Sequence, residues 1–565
     1  MQGMKAMQMK HVYCLLASVL CASAVLHASA QAFKMKPTAK KFIATGHQFG
    51  IATSLSNLLE NVAAFDETAI DGAAVHLRGA MPDGKQAITY MTMRDPRPWP
   101  RDVFAAEVPI LRALVRHHSF GELFISAFGT PRKRIDWRND AIWAVYAGHL
   151  RAIAWAAKAG GARGLRADHE DYFSARQFLA KEGEGSWEEM AAIARRRGRE
   201  LFQPVFEEFP EATLFFYRFL VADPGFWNSY ATCTDPVAAM KAKHDLWPAF
   251  INGILDVMPL TAKVIEGDET GYRYESKYNW FYLARNLQRN GALRLVAPEN
   301  RDKFRARVST AFPVYLDAYT DDSFKPGSEY YRGAVEGARA VHLERNLAQA
   351  ADAADEYVWL YGEKRAWVHF KGPLDSRVLT DRTWPEMFPG INDVLRANKD
   401  PEGFLADCLR HPERYENAFK GAEHHSPWRR VKGYRAGEFV AEGGGFRATG
   451  VEDGCFQCVV PAKCGEYYAV SFAVKNTSSD WARAWHGSSE KDLNKWLIPG
   501  YTVPLSAPDA DGWRRGAVLM RVPDFGTSVE FTAGVRLAEG ESAWLKDIKF
   551  LKVIPLLKDP LDAVH

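Results

Sequence analysis

From about residue 41 to residue 370 the chain repeats one pattern: a short run of β-branched and aromatic residues, then a longer stretch of helical period. Few folds satisfy that alternation, because strands separated by crossover helices lie parallel and the helices must cover the sheet. The runs are Phe42–Gly46, Ala73–Leu77, Leu123–Ala127, Gly164–Asp168, Thr213–Phe219, Ala262–Ile265, Ala311–Leu316 and Tyr357–Leu360. Helical stretches fall between them, among them Ile142–Lys158, Trp187–Gln203 and Pro236–Val257. Eight such runs predict an α/β fold, a (β/α)8 barrel over residues 31–380.

Beyond residue 371 the pattern changes. Pro373, Pro385, Pro389 and Pro401 punctuate what reads as a loop-rich connector, 381–433. Residues 434–565 then show short alternating runs divided by turn residues: Tyr467–Val474, Ala517–Val522, Ser528–Val535 and Trp544–Leu551. That spacing predicts an all-β sandwich of jelly-roll size.

At the N-terminus, Lys5 and Lys10 precede an apolar stretch, Val12–Val25, and Ala28-Ser29-Ala30 offers a small-x-small cleavage pattern, so residues 1–30 read as a signal peptide. The stretch is shorter than the ~20 residues of a spanning helix. A secreted or periplasmic protein without an integral membrane segment after cleavage is expected. The formal charge of +3 is nearly balanced over 565 residues and lacks the basic footprint of a nucleic-acid partner. Cys233, Cys408, Cys455, Cys458 and Cys464 remain after cleavage, and Cys455 or Cys458 with Cys464 is a candidate local disulfide.

In a parallel barrel, chemistry gathers at the C-terminal ends of the strands. The fourth run ends in Asp168-His169-Glu170-Asp171-Tyr172. Alternation puts Asp168 and Glu170 on one face, and paired carboxylates raise the proton affinity of one, as a general acid requires. Alternatively, the pair caps the following helix. After the sixth run come Glu266-Gly267-Asp268-Glu269, then Tyr272 and Tyr274. Glu269 or Glu266 is a candidate second carboxylate, with the tyrosines placed to stack on a sugar; an exposed loop or a calcium site accounts for the same residues. The eighth run, Tyr357-Val358-Trp359-Leu360-Tyr361-Gly362-Glu363, supplies Glu363 as a further carboxylate and Trp359 as an aromatic floor. Weaker contributors are His47, Gln48, His76, Arg78, Tyr217, Arg218, Asp317 and Tyr319, with Trp227, Trp367 and Trp384 as sugar platforms.

The segment ending in Asp168-x-Glu170 resembles the strand-four motif of family-18 chitinase-like hydrolases, on TIM-type barrels. That resemblance implies Glu170 as the acid that protonates the departing sugar oxygen and Asp168 as its partner, which would orient a 2-acetamido group if that group were the nucleophile. The family has a further acid two residues before the pair, where this chain has Arg166. The run Gly512-Trp513-Arg514-Arg515 and the strands after it are similar to the closing half of jelly-roll carbohydrate-binding modules.

Other chemistries lack their motifs: no His-x-His follows the first run, and there is no Gly-x-Ser-x-Gly elbow, phosphate-cradling loop or dinucleotide fingerprint. The expectation is hydrolysis of an oligo- or polysaccharide by two carboxylates, with no cofactor or catalytic metal. Glu170 is the acid, assisted by Asp168; Glu266, Glu269 or Glu363 is the nucleophile or base; Tyr172, Tyr272, Tyr274, Trp359, Tyr217, His47 and Asp317 contact substrate. The alternatives are a non-catalytic glycan-binding barrel and a metal-dependent carbohydrate deacetylase.

Overall fold

The computed structural model describes residues 39–129, 131–169, 175–220, 230, 233–320, 323–420, 425–426, 435–488, 501–524 and 526–559. These fall into two compact units, 39–399 with 557–559, and 400–556. The signal-peptide segment, Glu170, Tyr172 and Trp227 lie outside the described residues.

In the first unit the strands are β1 (Lys41–Gly46), β2 (Gly72–Val75), a hairpin of β3 (Arg78–Ala80) and β4 (Gln86–Ile88), β5 (Phe124–Gly129), β6 (Gly164–Asp168), β7 (Thr213–Phe216), β8 (Lys263–Glu266), β9 (Val308–Thr310), β10 (Phe312–Tyr315) and β11 (Tyr357–Gly362). Nine of them form one sheet in the order β10-β11-β1-β2-β5-β6-β7-β8-β9. It is parallel throughout and nearly closed. The path has nine strands where eight runs are expected because the chain around the seventh run is broken at Ala311. The residues before the break pair with β8 and those after it with β11, while the Ala311 N–H donates to the Glu266 carbonyl at 2.8 Å.

Alternation decides what fills the sheet's interior. Phe215 packs on Phe124 at 5.5 Å and on Trp359 at 5.9 Å, and Phe124 on Tyr357 at 6.0 Å. Each such ring contributes about 1.5–3 kcal/mol by burial. The covering helices have ordinary ends. Asn139 caps Asp140–Gly160, which stops at Gly161 with φ 80°, and Ser186 caps Trp187–Glu208. The stretch 236–257 is two helices rather than one, Pro236–Ala242 and Trp247–Val257. His244 adopts φ 54° between them, and Pro248, in the first turn of the second, has no N–H to continue the first.

The expected connector is largely helical as far as residue 410. Pro385 and Pro401 sit in the first turns of Trp384–Met387 and Pro401–Arg410, where a missing N–H costs nothing. Proline interrupts a helix but also opens one, and two of the four prolines do the latter.

The second unit has β12 (Glu416–Asn417), β13 (His425–Ser426), β14 (Glu438–Glu442), β15 (Gly445–Thr449), β16 (Gly454–Pro461), β17 (Tyr467–Lys475), β18 (Trp481–Ser488), β19 (Tyr501–Pro504), β20 (Arg514–Arg521), β21 (Gly526–Val535) and β22 (Ser542–Ile554). One antiparallel sheet runs β14-β15-β22-β17-β20 with β12 beside β22, the other β13-β16-β21-β18-β19. Phe472 of the first stacks on Phe531 of the second at 4.1 Å. Among the described residues no disulfide joins Cys455, Cys458 and Cys464, contrary to expectation. Cys455 and Cys458, three apart on β16, face opposite sides of the sheet, and the Cys464 thiol donates to Asp524 Oδ1 at 3.5 Å.

Candidate active site

At the C-terminal end of β6, Arg166 and Asp168 share the inner face. Arg166 Nη1 donates to Asp168 Oδ2 at 2.9 Å, its Nε donates to Ser126 Oγ at 3.2 Å, and its guanidinium lies 4.6 Å over the Tyr217 ring. Tyr217, just beyond β7, stacks on Trp359 with centroids 4.0 Å apart. Burial drives the Tyr217 hydroxyl far above its ordinary value, Asp168 and Glu269 adding to the shift and Arg166 opposing it. Glu269 follows β8 and pairs with Arg218, Nε to Oε2 2.7 Å. Two carboxylates and the Arg166 guanidinium thus bear on one tyrosine.

The opposite side of this mouth is aromatic. Tyr272 lies 4.9 Å from Tyr315, 5.3 Å from Trp359 and 5.5 Å from Tyr361, and Tyr330 lies 5.7 Å from Tyr315. The Tyr361 hydroxyl donates to Glu363 Oε1 at 2.8 Å, and His47 Nε2 is 4.0 Å from the same oxygen. Burial, reinforced by Arg377, lowers the His47 pKa, opposed by Glu363 and Asp375, so its imidazole is neutral near pH 7. On the β2 side His76 is driven down to about 3 by burial, with Arg166 and Arg78 adding to the shift.

His47, Asp168, Tyr217, Glu269, Tyr272 and Glu363 are therefore gathered at one end of the sheet. Other candidates are not. Glu266 faces the helices, because its register partner Phe216 packs outward against Phe202. Its two oxygens accept the Phe219 and Leu220 N–H groups at 2.9 and 2.8 Å, so it anchors backbone and is no nucleophile at the mouth. Tyr274 also turns away. Its hydroxyl donates to buried Asp268 Oδ2 at 2.7 Å, and its ring packs on Phe281. Asp317 is fully buried, accepting the Glu363 and Lys364 N–H groups at 2.7 and 3.1 Å, which fixes the β11 loop instead of reaching substrate. Trp359, at 0% exposure, lies beneath Tyr217 as core rather than as a sugar contact. Trp367 and Trp384 are buried as well.

Tyr315, Tyr330 and Tyr361 are not singled out by sequence. Tyr361 stands two residues after Trp359 on the same face, so alternation identifies it once Trp359 is placed inside. Tyr330 belongs to a loop without periodicity, and nothing local marks it.

The second unit carries a different feature. On the outward face of β18 lie Trp481, 41% exposed, Arg483 with its guanidinium 4.9 Å over that indole, and Trp485. Trp485 Nε1 donates to Glu530 Oε2 at 2.8 Å, Gln457 Nε2 donates to the same oxygen at 3.3 Å, and Ser528 Oγ donates to Oε1 at 2.8 Å. A half-exposed carboxylate is thereby fixed beside an indole.

Among the described residues, no group of three His, Cys, Asp or Glu side chains is placed to hold a metal ion, and no helix is long and apolar enough to cross a membrane.

No family model matches this sequence, and no curated protein matches it. Among solved structures, endonuclease IV from Thermus thermophilus is 11% identical over 57% of this chain and 91% of its own, with TM-score 0.29. The family 11 carbohydrate-binding module from Clostridium thermocellum is 15% identical over 25% of this chain and 96% of its own, with TM-score 0.16. The enzymatically active domain of bacteriophage CBA120 tailspike protein 4 is 17% identical with TM-score 0.15, over 19% of this chain and only 15% of its own length.

Proposed function

We propose that the chain is an exported glycoside hydrolase whose barrel unit cleaves glycosidic bonds of an oligo- or polysaccharide while its sandwich unit holds the same polymer. The observation that carries this reading is the mouth of the barrel, where Asp168, Glu269 and Glu363 stand beside an aromatic cluster, half-buried at Tyr330 and Tyr361 and resting on buried Tyr217, Tyr272 and Tyr315. Pyranose rings present apolar C–H faces that pack on aromatic rings, and hydroxyl groups that bond carboxylates. Carboxylates and aromatic rings gathered at one end of the sheet suit a sugar chain.

In the proposed mechanism Glu170, two residues beyond Asp168, protonates the departing oxygen. Glu269 or Glu363 attacks the anomeric carbon or activates water. An adjacent cation favours the ionised form of a carboxylate, so the Arg218 partner suits Glu269 to the second role. Asp168, joined to Arg166, orients substrate or the acid. The Trp481–Trp485 face of the sandwich adds a second contact along the chain and raises the local substrate concentration.

Turnover of aryl-glycosides and plant or host glycans by the purified protein tests the reading. A second reading, a glycan-binding barrel without turnover, is favoured by the pairing of Asp168 with Arg166, which holds that carboxylate ionised and away from an acid's role. It predicts saturable binding of a glycan that is never cleaved.

A further inference from the structure

Behind the mouth, on the helix-facing side of the sheet, a continuous set of contacts ties three strand ends together. His169, next to Asp168, stacks face to face on Trp247 with ring centroids 3.6 Å apart and planes 9° from parallel. Phe178 meets the same imidazole edge-on at 6.2 Å. Trp247 in turn donates its indole N–H to the Phe219 carbonyl at 2.6 Å. Phe219 and Leu220 donate their backbone N–H groups to the two oxygens of Glu266 at 2.9 and 2.8 Å. The path therefore runs from the end of β6 through Trp247 to the segment after β7, and from there to the end of β8.

Each anchor neighbours a residue at the mouth. His169 follows Asp168, Phe219 follows Arg218, and Glu266 precedes Glu269 by three positions, the Glu269 N–H being held by the Tyr217 carbonyl at 3.0 Å. Two of these mouth residues form the Arg218–Glu269 ion pair across β7 and β8. A shift of either strand end by a fraction of an ångström changes that pair and the aim of Asp168, and misplacements of this order slow reactions that depend on alignment.

We propose that His169, Trp247 and Glu266 are positioning residues: an outer ring that sets the relative placement of Asp168, Arg218 and Glu269. This rests on the hydrolase reading for its effect on turnover, but not for its effect on geometry. The groups contribute packing and hydrogen bonds to backbone and touch no substrate. Burial keeps the His169 imidazole neutral, with Arg218 adding to the effect, and a flat stack on indole requires only the ring. Phenylalanine at position 169 therefore replaces it, whereas alanine does not.

The test uses the full chain and four variants, His169→Ala, His169→Phe, Trp247→Phe and Glu266→Gln, with two readouts. In steady-state kinetics on an aryl-glycoside that the wild type cleaves, His169→Ala, Trp247→Phe and Glu266→Gln should lose about tenfold or more in kcat with KM within about threefold, and His169→Phe should stay within about threefold of wild type. The Arg218 Nε–H resonance, assigned with Arg218→Lys, should move in His169→Ala and Glu266→Gln and hold in His169→Phe. Should Glu266→Gln fail to fold, the His169 pair decides. An unmoved Arg218 resonance in folded His169→Ala overturns the ring whatever the activity, and so does wild-type kcat in that variant. A wild type that cleaves no glycoside overturns the hydrolase reading alone, and the resonance then decides the ring.

Discussion

The phenol of Tyr217 lies flat on the indole of Trp359, ring centroids 4.0 Å apart and planes 13° from parallel. One residue follows β7 and the other sits on β11, across the interior of the sheet. The Trp359 indole N–H donates to the Gly267 carbonyl at 2.8 Å, so the stack is held to the β8 end as well. Arg166 lies over the Tyr217 ring and Tyr272 packs against Trp359, so both sides of the mouth meet at this pair.

Replacing Trp359 by alanine removes a fully buried ring and a buried hydrogen bond, and should cost about 3–5 kcal/mol. Denaturant unfolding of the variant measures it. Trp359→Phe keeps most of the packing and should cost markedly less. A loss under about 1 kcal/mol in Trp359→Ala would show that the ring is not the core element described.

Asp268 makes stability depend on pH. Burial raises its pKa to about 7, with Glu266 adding to the shift and Tyr274 and Gln288 opposing it. Because the folded value is above the unfolded one, the folded state holds the extra proton between about pH 4 and about pH 7, and stability falls as pH rises through that window. Buried Asp317, raised to about 6, acts with the same sign. The Tyr274 hydroxyl and the Gln288 amide both donate to Asp268 Oδ2, so asparagine can accept both without a charge. Asp268→Asn should therefore flatten the fall in stability from pH 4 to pH 7, read from unfolding midpoints in a pH series. An unchanged slope would remove Asp268 as its source.

How much of this is legible in the sequence depends on the kind of signal. Each of the eight runs carries a strand because alternating apolar residues are enough to mark them, as at Gly164–Asp168, where the boundaries agree. The break at Ala311 is not legible, since a strand that changes partners keeps the same side-chain pattern. Glu266 and Glu269 illustrate the limit at the site. Both follow an apolar run, but a difference of three residues and the turn at Asp268, φ 45°, send one outward to backbone amides and the other to Arg218 at the mouth. Asp317 misleads for a related reason, because two of its partners are backbone N–H groups, which no side-chain motif announces, and the third is the Ser323 hydroxyl on the same loop.

The sandwich face makes a separable prediction. Trp481→Ala and Trp485→Ala should each weaken binding of the isolated polymer by about tenfold or more, which is about 1.4 kcal/mol. Cleavage of a small soluble aryl-glycoside at the barrel should stay as in wild type. Affinity electrophoresis on glycan gels reads the first effect and a colorimetric assay the second. Unchanged retention in both variants would move polymer binding away from this face.

The most direct test of the proposed hydrolase is turnover of a broad panel of aryl-glycosides and natural glycans by the wild type, with Glu170→Gln run alongside. The account predicts cleavage by the wild type, lowered about 100-fold or more in Glu170→Gln while glycan binding persists. Saturable binding without cleavage by the wild type, across a panel that includes its bound glycan, would contradict it and leave a glycan-binding barrel in its place.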